Sequence, residues 1–184
     1  GVDVAAVGMD RGRDRHRRGV GAAAAQRGDA PGLLVHALEA GDHPTLAMGF
    51  VDLVGFTRTS ASMQTDELGR LLGRFEALAS DVITEAGGRV VKLIGDEAML
   101  VFPTADQAAQ GAIELVDACA AGDLPSARAG LSLGQVLARG GDYFGRPVNL
   151  ASRLAEDAPP GGVLADEQLA DAIRQDSTFA LESK

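Results

Sequence analysis

Two apolar runs separated by only three residues constrain this chain more than anything else in it. Arg89–Ile94 and residues 98–102 flank the turn Gly95-Asp96-Glu97. Runs of this length, rich in Val, Ile and Leu, read as strands, and so short a connection makes them antiparallel neighbours. Residues 46–53 read as another strand, ending in a Gly-containing turn. Between it and the hairpin, Leu68, Leu71, Leu72, Phe75, Leu78, Val82 and Ile83 recur at helical spacing, and Gly87-Gly88 stops that helix.

The same alternation continues downstream. Pro103-Thr104 opens a second helix, with Thr104 and Gln107 at capping-box spacing. Residues 128–137 form the next predicted strand, and Arg139-Gly140-Gly141-Asp142 reads as a loop. Pro147 suits the first turn of a third helix, which ends by Pro159-Pro160. A short strand near Val163 and a helix over Glu167–Ile173 complete the order. The core order βαββαβ predicts an α+β domain: a ferredoxin-like split βαβ arrangement whose antiparallel sheet is covered by helices. That topology hosts many activities, so function has to come from the site.

Composition narrows the class. The chain has 184 residues, 46% of them hydrophobic but only 4% aromatic, so its core is aliphatic. A formal net charge of -9 argues against a general nucleic-acid or anionic-membrane binder. The single cysteine, Cys119, excludes an internal disulfide framework and fits a reducing, cytoplasmic setting. No apolar run approaches the ~20 residues of a membrane span, and the N-terminus lacks a secretory pattern. Residues 1–43, with Arg11, Arg13, Arg15, Arg17 and Arg18 interleaved with Gly and Asp, read as a disordered linker or the remnant of an upstream region. Residues 44–184 are then the folded domain, and a regulatory domain upstream is expected in the full protein.

Two of the strand runs carry a carboxylate where a buried strand should hold only hydrocarbon: Asp52 in FVDLVGFT and Asp96 in VVKLIGDE. A buried ionised carboxylate is costly unless paired, hydrogen-bonded or bound to metal. Two that converge at one sheet edge, with a backbone carbonyl, leave room for water and substrate phosphate, as magnesium requires. Val54, Gly55, Phe56 and Thr57 turn into the first helix, so their N–H groups are candidates to cradle phosphate. Asn149 and Arg153 sit at i and i+4 on the third helix, presenting an amide and a guanidinium on one face. Such a pair suits a ribose oxygen and a developing phosphoryl charge.

Together FVDLVGFT, VVKLIGDEAMLVF, ARAGLSLGQV and GDYFGRPVNLASRL, in this order, resemble the catalytic domain of class III nucleotidyl cyclases, particularly bacterial, mycobacterial-like adenylyl cyclases. The likeness implies that Asp52 and Asp96 bind two Mg2+ or Mn2+ ions per site and that Leu53 lends its carbonyl. It also implies that Lys92 and Asp142 read the base, that Asn149 and Arg153 form the transition-state pair, and that Arg128 contacts the triphosphate. Such enzymes work as head-to-tail dimers with sites shared between chains. The family usually carries a further strand with a phosphate-binding lysine, for which Lys184 lies early.

Base choice follows from donor and acceptor inventory. Lys only donates and an ionised Asp only accepts, which complements N1 and the N6 amino group of adenine and mismatches guanine. ATP is therefore the expected substrate, giving 3′,5′-cyclic AMP. The alternatives are a guanylyl cyclase, a diguanylate cyclase (Gly95-Asp96-Glu97 is similar to part of the GGDEF signature) and a non-catalytic nucleotide-sensing dimerisation domain.

Overall fold

The computed structural model describes residues 3–10, 43–174 and 178–183. Strand β1 (Val4–Met9) is followed, across residues outside that set, by β2 (Thr45–Leu53), the strand from which the site is built. Both faces of β2 are buried: Ala47, Val51 and Leu53 on one side, Leu46, Met48 and Phe50 on the other. A strand covered on two sides loses polar alternation, which is why this run is almost wholly apolar and why Asp52 stands out in it.

A one-turn helix, α1 (Phe56–Ser60), and the long α2 (Thr65–Glu85) lead into the hairpin of β3 (Arg89–Ile94) and β4 (Glu97–Phe102). Then come α3 (Ala105–Ala121), β5 (Ala127–Gln135), a small hairpin of β6 (Leu137–Arg139) and β7 (Asp142–Phe144), α4 (Arg146–Asp157), β8 (Val163–Asp166), α5 (Glu167–Ile173) and β9 (Phe179–Ser183). The main sheet has the order β3-β4-β2-β5-β8-β1-β9. Its first four strands are the expected split βαβ unit, with β2 held antiparallel between β4 and β5.

One face of the sheet packs under α2, α3 and α5 through Phe75, Ile83, Leu115 and Leu169. Cys119 lies within that layer, and burial pushes its thiol up to about 11, so it is a packed apolar group at neutral pH. The other face packs under α4 and the β6–β7 hairpin through Met48, Phe50, Met99, Tyr143, Ala151 and Ala155. Helix α4 rests directly on β5 at Gly130, where an added Cβ would lie 2.2 Å from both the Ala151 carbonyl oxygen and the Ala155 nitrogen.

Three sequence expectations are corrected. Residues 4–9, read as part of a linker, form β1 between β8 and β9; the basic tract at 11–18, the rest of the proposed linker up to 42 and Lys184 lie outside the described residues. The sheet is not wholly antiparallel, because the crossover through α4 sets β5 and β8 parallel. The loop at 139–142 is the tip of a hairpin, with Gly140 and Gly141 at φ 62° and 82° supplying the positive-φ pair of a tight two-residue turn.

Candidate active site

Register brings three charged side chains into a row. Asp52 on β2 lies opposite Glu97 on β4 and opposite Arg128 on β5. By strand alternation all three share the face of the sheet that carries Phe50 and Met99, the α4 side. The row crosses the end of β2, just before Gly55 (φ 74°) turns the chain into α1.

Arg128 is the cation of this row. Its Nε donates to Asp52 Oδ2 at 2.9 Å and its terminal nitrogen lies 2.7 Å from the same oxygen, while Nη1 donates to the Glu156 carbonyl at the end of α4. Asp96, in the β3–β4 turn, lies near enough to Asp52 to feel its charge. Its pKa is raised, first by burial and then by the Asp52 charge, against its own backbone hydrogen bond and the Arg128 charge. Glu97 is pushed up to about 7 by burial, then by Asp52, Glu156 and Asp96, with Arg128 opposing.

Three acidic side chains thus share one guanidinium, and the Glu156 charge adds to the field at Glu97. A cluster in which the carboxyls hold one another's protons on is short of positive charge, so hard divalent cations fit Asp52 and Asp96 on both donor type and electrostatics. Among the described residues no three His, Cys, Asp or Glu side chains converge as a ready-made cage. Asp52, Asp96 and the Leu53 carbonyl are the groups at this edge with the donor chemistry to hold such an ion.

The turn after β2 supplies fewer free amides than its sequence promised. Val54 N–H donates to the Ser126 carbonyl at 2.8 Å, so that donor is spent, which corrects its assignment as a phosphate-cradling group. Gly55, Phe56 and Thr57 precede the first amide of α1 that finds a carbonyl, Arg58 to Gly55.

A second polar pair forms further along the same face. Lys92 on β3 is ion-paired with Asp142 at the start of β7, although the two are 50 residues apart. Lys92 lies opposite Met99, so it faces the same side as Asp52. The Lys92 hydrogen bond is the main cause holding the Asp142 carboxyl below its usual value, and the Tyr143 amide donates to its other oxygen at 2.9 Å. At 43% and 29% exposure the pair adds little to stability.

Asn149 and Arg153 are brought together with neither group. Both are exposed on α4, whose inward face is Pro147, Ala151, Leu154 and Ala155. Among the described residues neither makes a side-chain hydrogen bond or ion pair. Sequence reasoning missed Glu97 and Glu156 here. Glu97 was legible in principle, since it faces Asp52 once β2 and β4 are aligned, whereas Glu156 joins only through the packing of α4.

Residues 38–184 match the family model described as the adenylate and guanylate cyclase catalytic domain. An adenylate cyclase of Streptomyces coelicolor is 44% identical over 129 residues, which cover 70% of this chain and 34% of that protein. The chain therefore spans about a third of the length of the curated relatives it matches. Among solved structures, an adenylate/guanylate cyclase/hydrolase from Silicibacter pomeroyi superposes with TM-score 0.64 at 27% identity, over 72% of this chain and 81% of the other. The catalytic core of a rhodopsin-guanylyl cyclase with converted specificity, in complex with ATPalphaS, gives TM-score 0.68 at 24% identity, over 72% and 82%. That second likeness bears on the fold alone.

Proposed function

Because this chain belongs to the class III nucleotidyl cyclase family, we propose that it is the catalytic domain of an adenylyl cyclase, converting ATP to 3′,5′-cyclic AMP and pyrophosphate at sites shared between two chains. The observation that carries this reading is the Lys92–Asp142 pair, formed on the same sheet face as Asp52, whose charge Asp96 feels from the β3–β4 turn. One group suits a purine and the other a metal-bound triphosphate.

Asp52, Asp96 and the Leu53 carbonyl would hold the divalent ions, magnesium or manganese, two to a site. Bound there, such ions lower the pKa of the ribose 3′-hydroxyl and neutralise charge on the leaving pyrophosphate. Everything else falls to the chain's own groups. Lys92 donates to adenine N1 and Asp142 accepts from the N6 amino group; guanine would set a donor against the ammonium and an acceptor against the carboxylate. Sites that leave buried polar groups unpaired discriminate by roughly 10⁴–10⁵.

Asn149 orients the ribose so that its 3′-oxygen lies in line with the α-phosphorus. As that oxygen attacks and the bond to the β,γ-pyrophosphate breaks, Arg153 stabilises the charge gathering on the α-phosphoryl oxygens. Arg128, beside Asp52, would contact the triphosphate. Amides of Gly55, Phe56 and Thr57 add donors at the same end of the sheet.

The exposure of Asn149 and Arg153 supports a head-to-tail homodimer. Among the described residues neither has a side-chain partner, and a second chain would deliver them to the Asp52–Asp96 cluster. Ile94, Leu137 and Phe144 are large apolar side chains left exposed, as a contact face requires. No helix among the described residues is long and apolar enough to cross a membrane.

A product assay tests the reading. With ATP and magnesium or manganese the chain should yield cyclic AMP at a rate that rises faster than linearly with protein concentration. Arg153→Ala should lower kcat by about 10²–10³. Formation of cyclic GMP or a cyclic dinucleotide from GTP in preference would overturn the substrate, and no turnover under any of these conditions would favour a nucleotide-sensing role.

A further inference from the structure

Beneath the Lys92–Asp142 pair lies a second contact between the same two strands. Arg89 on β3 donates to the Tyr143 hydroxyl on β7 at 3.3 Å, and its guanidinium carbon lies 5.8 Å from the centre of the Tyr143 ring. Tyr143 is 2% exposed and anchors the β6–β7 hairpin in the core under α4.

Two backbone features align these contacts. A register shift between Val90 and Lys92 sets Arg89 opposite Val101 and Lys92 opposite Met99, and Val101 and Met99 share one core. Residues three apart on a regular strand point to opposite faces; this irregularity turns Arg89 and Lys92 to the same one. On β7, burying Tyr143 turns Asp142 outward, and the Tyr143 amide holds the carboxylate oxygen that Lys92 does not use. Arg89 therefore fixes Tyr143, and Tyr143 fixes Asp142.

We propose that Arg89 and Tyr143 are positioning residues for base selection, setting the place of Asp142 opposite Lys92 without touching nucleotide. The inference rests on the base-reading role given to Lys92 and Asp142 above. Neither residue was singled out by sequence, because Arg89 reads as a strand-edge cation and Tyr143 as a lone aromatic.

The test is steady-state kinetics of the full chain with ATP and GTP. Tyr143→Phe keeps the buried ring and removes only the hydroxyl; Arg89→Met removes the donor, and Arg89→Lys restores one. Tyr143→Phe and Arg89→Met should each reduce the ATP-over-GTP ratio of kcat/KM by about tenfold, the scale of one hydrogen bond to a charged group. The loss should fall on KM for ATP, with kcat within about twofold of the parent. Arg89→Lys should recover most of the ratio, and Tyr143→Phe should add nothing in an Asp142→Ala background. Unchanged selection in Tyr143→Phe and Arg89→Met, while Asp142→Ala alters it, overturns the positioning role alone. A full additional loss in the Asp142→Ala background also overturns it, since the pair would then act on the fold. If Asp142→Ala itself leaves selection unchanged, the base-reading assignment fails and this inference falls with it.

Discussion

Glu97 carries the clearest consequence of single-residue placement. Its carboxyl is pushed up to about 7 by burial beside Asp52, Glu156 and Asp96. An unfolded chain releases that proton near the ordinary Glu value of ~4.3. The folded chain therefore holds a proton that the unfolded chain has lost across this window, and the stabilisation so gained disappears as pH rises through about 7. In chelator, urea melts should show stability falling by on the order of 2 kcal/mol between about pH 5 and 8, and Glu97→Gln should flatten the slope. An identical slope in the variant would contradict the assignment. Asp142 has the opposite sign: Lys92 lowers its pKa, so its contribution is present above the usual Asp range and lost only on further acidification. At this scale Asp52 and Asp96 were legible because each places charge in hydrocarbon. Glu97 becomes legible only once β4 is set against β2, because until then it reads as a turn residue.

Elements decide whether these residues meet. Helix α4 bears Asn149 and Arg153 and also closes over the core, and it can do both only because Gly130 lets its backbone touch β5. A methyl group at Gly130 would meet backbone atoms, which cannot swing aside as a side chain does. Gly130→Ala should cost at least about 2 kcal/mol in urea unfolding, toward the upper part of the range for overpacked cores. It should also depress turnover by displacing Asn149 and Arg153; parent-like stability and activity together would refute the close contact. Hairpin, helix periods and glycine stops were legible because each is a local signal. Strand β1 was not, since Val4–Met9 gains its partners, β8 and β9, only from the far end of the chain. The irregularity beside Val91 was equally silent, because nothing in Arg89–Ile94 marks where the register shifts.

For the whole molecule the central matter is how, in the proposed reading, two groups of residues on one chain would serve one nucleotide. A single chain pairs Lys92 with Asp142 and Asp52 with Arg128, yet leaves Asn149 and Arg153 exposed and unjoined to Asp52 and Asp96. A net charge of -9 would oppose a polyanionic substrate such as the proposed ATP, so its binding would depend on cations and on local Lys and Arg. A second chain related head to tail would join Asn149 and Arg153 to Asp52 and Asp96. The most direct test mixes two variants that are each inactive alone, Asp52→Ala and Arg153→Ala, and measures cyclic AMP formation. A shared site predicts recovery of up to about a quarter of parent activity, because half of randomly assorted dimers are mixed and each of those holds one intact site. A mixture as inactive as its components, with mixed dimers present, would contradict the account.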